Sequence, residues 1–151
     1  MARENAEDAV VSLYGSLIDG WNAGDAEAMA VPMARDGLVV GFDGSQMFGR
    51  DAVATELGRI FGDHETARYV TKVRSVRSLG ADAALLHAVA GMVPAGGGKI
   101  MPDRNAIQTV VAHRDESGWS VVLFQTTAAQ FHGRPDLTEA LTDELAALVP
   151  G

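Results

Sequence analysis

The sequence predicts an α+β domain in which three N-terminal helices pack on a curved, mostly antiparallel sheet, with an extra helix at the C-terminus. Two observations support this fold class. Apolar residues recur at helical spacing early in the chain, and four long strand-like stretches separated by turn residues follow them. With 151 residues, of which 47% are apolar and 21% charged, the chain is long enough for one domain with its own core. We therefore expect a single domain over residues 1–151, with residues 135–149 as a C-terminal helical extension.

The first predicted helix carries a wide apolar stripe along one face. The stripe consists of Val10, Leu13, Tyr14, Leu17 and Trp21. Gly24 ends this helix, and Asp25 can cap a second helix that Pro32 keeps short, because proline lacks the N–H that a helix interior needs. A striped helix ahead of a run of strands is expected to lie across the sheet. We therefore predict the binding site in the cavity between helix and sheet.

A short hairpin and a third helix follow. Residues 38–42 are predicted to form a buried strand, Asp43 begins an Asp-Gly-Ser turn, and residues 46–48 return as a brief second strand. The third helix begins at Arg50 and ends at Gly62. Its apolar positions are Val53, Leu57, Ile60 and Phe61. This helix is expected to pack on the same face of the sheet as the first two.

The second half of the chain is predicted to be a meander of long strands closed by a helix. The strands are expected at residues 65–78, 83–93, 104–114 and 119–130. The last helix has Pro135 near its first position, where proline is tolerated. Its apolar face consists of Leu137, Leu141, Leu145 and Leu148.

Two of these strands are apolar on both faces, at residues 85–91 and 121–124. The helices can cover only one of those faces, and monomers rarely expose a large apolar patch. We therefore predict a homodimer that packs sheet against sheet. In the alternative, the C-terminal helix folds back over the same face.

Composition argues against several classes of partner and site. The net charge of −8 repels phosphate backbones and anionic lipid, so neither nucleic acid nor a membrane is expected as a partner. Cysteine is absent and the four histidines show no pair at metal-ligand spacing, so no metal is expected. No Gly-x-Gly-x-x-Gly turn occurs, so no nicotinamide or flavin cofactor is expected. The chain has no apolar run near the roughly 18 residues of a membrane span and no charged-then-apolar leader, which predicts a cytoplasmic protein.

Four short segments carry a resemblance to a known superfamily. They are residues 21–25, 36–44, 48–52 and 118–127. On these segments the chain resembles the nuclear-transport-factor-two-like superfamily over residues 6–131. Within it, the chain most resembles the SnoaL-like proteins of the SgcJ/EcaC group, which accompany enediyne and polyketide pathways. The resemblance implies a cone-shaped roll, an apolar polyketide or polyene ligand and a role in bacterial antibiotic biosynthesis. It also implies a polyketide synthase or carrier protein as a further partner.

The resemblance supplies no catalytic base at the expected place. Ketosteroid isomerases of this superfamily carry the base on the first strand, and the matching position here is Gly41. Their oxyanion tyrosine falls near Leu17 and their second acid among residues 108–110, so steroid isomerisation is not expected. Asp43 points to the same side of the strand as Gly41 if the strand continues that far, and would then replace the missing base. Alternatively, Asp43 is the first residue of a turn and its carboxylate bonds the local backbone.

Polar residues within apolar strands are further candidates, because burying them unpaired costs about 1 to 3 kcal/mol. They are His87, Asn105, Gln108 and Gln125. His87 is predicted to act as a general acid or base, or alternatively to bond a backbone carbonyl or face the dimer partner. The three amides are predicted to bind a ligand carbonyl, or alternatively to bridge strands or chains.

Aromatic and thioether side chains are expected to line the cone, although residues at this spacing also form cores. They are Tyr14, Trp21, Phe42, Met47, Phe48, Phe61, Tyr69 and Met92. Arg104 follows Asp103, and adjacent residues on a strand face opposite ways. We therefore interpret Arg104 as surface charge rather than as part of an anion site.

The residues leave two functions open. In the first, the cavity hosts cofactor-free acid-base chemistry such as cyclisation or dehydration, with His87 or Asp43 as the base and Asn105 or Gln125 holding a developing enolate. In the second, a non-catalytic binding or accessory protein shelters or presents a pathway intermediate. The glycine at position 41 favours the second function, and a His87 that faces the cavity would favour the first.

Overall fold

The computed structural model describes residues 4–150, which form four α-helices, a short 3₁₀ turn and six strands. The helices are α1 (Ala6–Asn22), α2 (Ala26–Ala30), α3 (Arg50–Asp63) and α4 (Pro135–Ala146), and the 3₁₀ turn is Pro102–Arg104. The strands are β1 (Met33–Val40), β2 (Gln46–Phe48), β3 (Arg68–Ser78), β4 (Ala83–Val93), β5 (Ala106–Asp115) and β6 (Gly118–Ala128).

All six strands belong to one sheet, in the order β2-β1-β6-β5-β4-β3. β1 and β6 run parallel, and every other neighbouring pair is antiparallel. Register shifts interrupt the β3–β4 and β5–β6 ladders, and such irregularities bend a strand and increase its twist. The predicted α+β class, with helices on a curved and mostly antiparallel sheet, is therefore confirmed.

β1 begins earlier than the sequence pattern predicts. It starts at Met33 and ends at Val40, so Phe42 lies in the following turn rather than in the strand. The early part was hidden because Arg35 and Asp36 are exposed and break the apolar pattern. The pairing of β1 with β6 also shifts register in this part of the strand.

α1 has capping groups at its start and a glycine just beyond its end. The Asn5 side chain accepts a hydrogen bond from the backbone N–H of Asp8 at 2.8 Å, which satisfies one of the free donors at the helix start. Gly24 has a φ of 64°, a left-handed conformation that glycine adopts without strain, and Asp25 caps α2 through Ala28 N–H at 3.0 Å. Among residues 4–150, none of the helices combines the length and apolarity needed to cross a membrane.

The side chains of β4 alternate between two faces of the sheet. Leu86 and Ala88 are fully buried on the side where α1 packs, which we call the helix face. His87 and Val89 point to the opposite side, which we call the outer face. This alternation decides which of the candidate residues reach the space under the helices.

α4 covers one end of the outer face. Leu141 and Leu145 of α4 are buried in one cluster with Val89 and Val93 of β4. Gly91 lies between those two valines, and a Cβ atom there would be 2.9 Å from Leu145 Cδ1, so glycine allows the helix its close approach. At this end of the sheet the C-terminal helix folds back over the outer face, as in the alternative to a homodimer interface.

Candidate functional site

A cavity of about 410 Å³ lies between the helix face of the sheet and helices α1, α2 and α3. Pockets for small molecules span about 300 to 1,000 Å³. Most of the wall is apolar and comes from Trp21, Met29, Val39, Val40, Phe42, Met47, Leu57, Ile60, Ala67, Tyr69, Met92, Met101 and Phe124. Polar groups come from Asp43, Ser45, Thr66, Arg104 and Thr126. The site is therefore large enough for a small molecule and is mostly apolar.

The cavity begins where α1 ends. Tyr14 and Leu17 of α1 are buried in the same core cluster as Leu86 of β4. Met92 lies further along the same face of β4 and lines the cavity together with Trp21, near the C-terminus of α1. The cavity is thus the part of the helix face that α1 does not fill.

The Trp-Asn pair at the end of α1 fixes one wall of the cavity. Trp21 Nε1 donates to the carbonyl of Ala67 at 2.8 Å. Asn22 Oδ1 accepts from the backbone N–H of Tyr69 at 2.8 Å, and Asn22 Nδ2 donates to the Tyr69 carbonyl at 3.0 Å. The Trp21 ring also stacks edge-on against Phe61, with 5.3 Å between centroids. These contacts hold the start of β3 against α1.

A buried hydrogen-bonded chain lies behind the cavity wall. The Tyr14 hydroxyl donates to Gln108 Oε1 at 2.6 Å, and Gln108 Nε2 donates to Thr126 Oγ1 at 3.2 Å. Burial raises the pKa of the Tyr14 phenol, so it remains a neutral donor. Only Thr126 of these three lines the cavity. Its hydroxyl accepts from Gln108 and lies beside the Tyr69 phenol.

Tyr69 and Arg104 place a second set of donors beside Thr126. Burial raises the pKa of the Tyr69 phenol, whereas the neighbouring Thr126 hydroxyl and the positive charge of Arg104 act in the opposite direction. The Arg104 guanidinium lies over the Phe42 ring, 5.8 Å from its centroid. Arg104 is exposed, as its interpretation as surface charge predicts, and the structure also places it on the cavity wall.

Asp43 lines the cavity but is held by its own turn. Its Oδ1 accepts the backbone N–H of Ser45 at 2.9 Å, and this bond lowers the pKa of the exposed carboxyl group. A carboxylate with a lowered pKa is a weak base at neutral pH. The turn interpretation of Asp43 is therefore the one that the structure shows.

His87 and Gln125 lie on the outer face of the sheet and do not line the cavity. His87 is exposed and lies between Leu86 and Ala88, both of which face α1. Gln125 is half-buried beside Phe124, which faces the cavity. Successive side chains of a strand lie on opposite faces of the sheet. Because these strands are apolar on both faces, the sequence does not show which alternate set of side chains faces the helices.

Asn105 and Gln108 are buried, but neither one lines the cavity. Asn105 Nδ2 donates to Thr142 Oγ1 of α4 at 2.9 Å, so this amide joins the end of the 3₁₀ turn to the C-terminal helix. Gln108 joins Tyr14 to Thr126. Both amides bridge elements of the fold, which is the alternative that the sequence left open.

Five of the eight predicted aromatic and thioether residues line the cavity. They are Trp21, Phe42, Met47, Tyr69 and Met92. Tyr14 lies behind the wall, Phe61 packs behind Trp21, and Phe48 is 67% exposed. Phe48 alternates with Met47 on β2, so the two side chains point to opposite sides.

Sequence reasoning missed the polar end of the cavity. Thr126 pairs with Gln108 in the β5–β6 ladder, and this cross-strand register cannot be read from either strand alone. Arg104 lies in a 3₁₀ turn rather than in the strand predicted from residue 104, so the strand-parity argument did not apply to it. Among residues 4–150, no three acidic or histidine side chains are grouped as metal ligands.

Solved structures with the same architecture are numerous, and three of them illustrate the range of sequence identity and structural similarity. A domain of unknown function with a cystatin-like fold from Nostoc punctiforme is 21% identical, with 97% of this chain and 98% of that chain covered and a TM-score of 0.78. An NTF2-like protein with a cystatin-like fold from Novosphingobium aromaticivorans is 22% identical, with coverage of 90% and 88% and a TM-score of 0.66. A ketosteroid isomerase-like protein from Erwinia carotovora atroseptica is 15% identical, with coverage of 85% and 99% and a TM-score of 0.63.

The chain has the cystatin-like fold of NTF2-like proteins. The cone architecture implied by the sequence resemblance is thereby confirmed. No protein-family model matches the chain, and a search of curated proteins finds no match to it. A fold shared at these identities says nothing about the activity, which has to be argued from the cavity itself.

Proposed function

We propose that this protein binds an elongated apolar small molecule in the cavity of its cystatin-like fold, as a binding or accessory protein. The observation that carries the proposal is a 410 Å³ space with aromatic, aliphatic and thioether walls next to a fully packed core. An apolar molecule gains free energy when its surface moves from water into such a space, and the few polar groups fix the orientation of a ligand. The SnoaL-like resemblance suggests a polyketide or polyene intermediate as that molecule.

The non-catalytic function is favoured over cyclisation or dehydration by the positions of the candidate bases. His87 lies on the outer face of the sheet, and the Asp43 carboxylate is bound to its own turn. The wall residue that corresponds to the isomerase base is Gly41. Catalysis therefore rests on one observation, the presence of Asp43 in the wall, and an Asp43→Asn variant that loses turnover but keeps its ligand would support it.

Binding of a neutral fluorescent probe tests the proposal directly. N-phenyl-1-naphthylamine is apolar, uncharged and small enough for the cavity, and its fluorescence rises when it leaves water. We expect saturable binding by the wild-type protein. Met47→Trp should weaken it, because the larger ring enters the cavity. The matched control is Phe48→Trp on the same strand, where the side chain points away.

Equal binding by the Met47→Trp and Phe48→Trp variants would show that the probe lies elsewhere. Failure of the wild-type protein to bind any neutral apolar probe would contradict the proposal. Native mass spectrometry of the protein purified from its own producer would then identify the natural ligand and test the polyketide assignment.

The homodimer expected from the sequence stays a prediction. α4 covers the end of the outer face near Val89 and Val93, while Ile107 on the same face is 39% exposed. A second copy packed on the uncovered part would bury Ile107. Ile107→Lys is therefore expected to convert a dimer into a monomer, as measured by light scattering after gel filtration. A wild-type protein that is already monomeric would contradict the prediction.

A further inference from the structure

Two charged residues line the cavity, Asp43 and Arg104. The Asp43 carboxylate already accepts a hydrogen bond from Ser45 N–H. Arg104 takes part in none of the five ion pairs found among residues 4–150. The cavity wall therefore carries one carboxylate that is held in its own turn and one guanidinium that has no ion-pair partner among the described residues.

The backbone around Arg104 is fixed. Arg104 ends the 3₁₀ turn, and its N–H donates to the Met101 carbonyl at 2.9 Å. The next residue, Asn105, is buried and bonded to Thr142 of α4. The guanidinium lies over the Phe42 ring, and contact through its face leaves the N–H edges free. The arginine is thus positioned at the cavity with its donors unused.

Hydroxyl donors lie near this guanidinium. Tyr69 and Arg104 both line the cavity, and the positive charge of Arg104 acts to lower the pKa of the Tyr69 phenol against the effect of burial. Thr126 also lines the cavity beside Tyr69, and its hydroxyl accepts from Gln108. Asp103, on the same turn as Arg104, is exposed and does not line the cavity. One end of an apolar cavity therefore presents a guanidinium and two hydroxyl groups.

We propose that the ligand carries an anionic oxygen group, a carboxylate in the simplest case, which Arg104 binds while the apolar remainder fills the cavity. This inference rests on the proposed function and names the chemical class of its ligand. A planar carboxylate accepts two parallel N–H bonds from a guanidinium, and these are the stronger class of hydrogen bond. A cationic head group cannot bond to the guanidinium, and a neutral one would gain only weaker hydrogen bonds from it.

The test compares ligands that differ in the head group alone. Decanoic acid and its amide, decanamide, have the same chain length and nearly the same shape. Each is titrated against bound N-phenyl-1-naphthylamine in a competition experiment near neutral pH. We expect the wild-type protein to bind the acid at least about tenfold more tightly than the amide, in keeping with a charge-assisted contact.

Substitution of the arginine assigns the preference to one residue. Arg104→Gln should reduce the acid preference to within about twofold, and Arg104→Lys should keep part of it, because lysine retains the charge but not the paired geometry. Arg68→Gln is the matched control, since Arg68 is exposed, outside the ion pairs, and absent from the cavity wall. Arg104 is itself exposed, so its substitution is expected to leave the fold intact.

The outcomes separate this inference from the proposed function. Equal affinity for acid and amide, with the neutral probe still bound, would overturn the anionic head group and leave apolar binding in place. An acid preference that survives in Arg104→Gln would overturn the role of Arg104. If the wild-type protein binds neither the acid, nor the amide, nor the neutral probe, both the anionic head group and the proposed function are overturned.

Discussion

The two ends of the helix face are built from similar apolar residues but differ in packing. Under α1, Leu17, Leu86 and Val110 are completely buried. Beyond the end of α1, Tyr69 and Met92 are half-buried around the cavity. The strands are continuous through both ends, so the difference comes from how far the helix reaches. Apolar composition alone therefore does not distinguish a core from a ligand-binding wall.

The largest expected effect comes from truncating matched residues at the two ends. Leu86→Ala removes a fully buried side chain from the packed end and should lower the free energy of unfolding by about 2 to 5 kcal/mol. Met92→Ala, on the same face of the same strand, should cost less, because it enlarges a space that already exists. Urea denaturation of both variants measures the difference. Equal losses would mean that the two ends are packed alike.

The boundary between the two ends is the hydrogen-bonded chain from Tyr14 to Thr126. Tyr14→Phe removes the donor to Gln108 Oε1 and leaves a buried acceptor without its partner. We expect a loss of about 1 to 3 kcal/mol in the free energy of unfolding. A double-mutant cycle with Gln108→Leu measures the coupling. Additive losses would show that the two residues act independently.

Much of the fold could be predicted from the sequence, because local signals agree with the final structure. Helical spacing located α1 and α3, and Gly24 and Asp25 marked the junction with α2. The sequence could not show which strand parity faces inward, because β4 and β6 are apolar on both sides. His87 and Gln125 were therefore placed in the site although they lie on the outer face.

Residues of the candidate site could be predicted only where a single helix or strand determines their position. Trp21 and Met47 line the cavity, whereas Phe48, which was predicted together with Met47, points away from it. Thr126 and Arg104 depend on cross-strand register and on a 3₁₀ turn, neither of which leaves a local pattern. Long-range pairing rather than composition decides this part of the wall.

A smaller effect is expected where α4 binds the outer face. Arg74 and Lys72 of β3 pair with Glu144 and lower the pKa of its carboxyl group from 4.5 to about 2. A group whose pKa is lower in the folded state stabilises the fold above its unfolded pKa and loses this contribution as the pH falls. Wild-type stability should therefore decline between about pH 4.5 and pH 2 more than that of Glu144→Gln.

Urea midpoints measured across this pH range check the prediction. Glu139→Gln is the control, because Glu139 is an exposed residue on the same helix that takes part in no ion pair among residues 4–150. Since the Glu144 pair lies at the surface, solvent screening keeps the effect small. Parallel pH profiles for wild type and Glu144→Gln would contradict the assigned contact.

The smallest effect is expected at His87. Because this side chain is exposed on the outer face, His87→Ala should leave the affinity for N-phenyl-1-naphthylamine unchanged. Fluorescence titrations of His87→Ala and Met47→Trp compare a variant whose affinity for the probe should not change with one whose affinity should fall. A large loss of affinity in His87→Ala would mean that ligand binds on the outer face instead.

A crystal structure of the protein grown with N-phenyl-1-naphthylamine tests the central claim most directly. We expect electron density for the probe between Trp21 and Met92, with Tyr14 and Gln108 unmoved behind the wall. Density that shows the wall side chains collapsed into the space, with the probe absent or bound on the outer face, would contradict it.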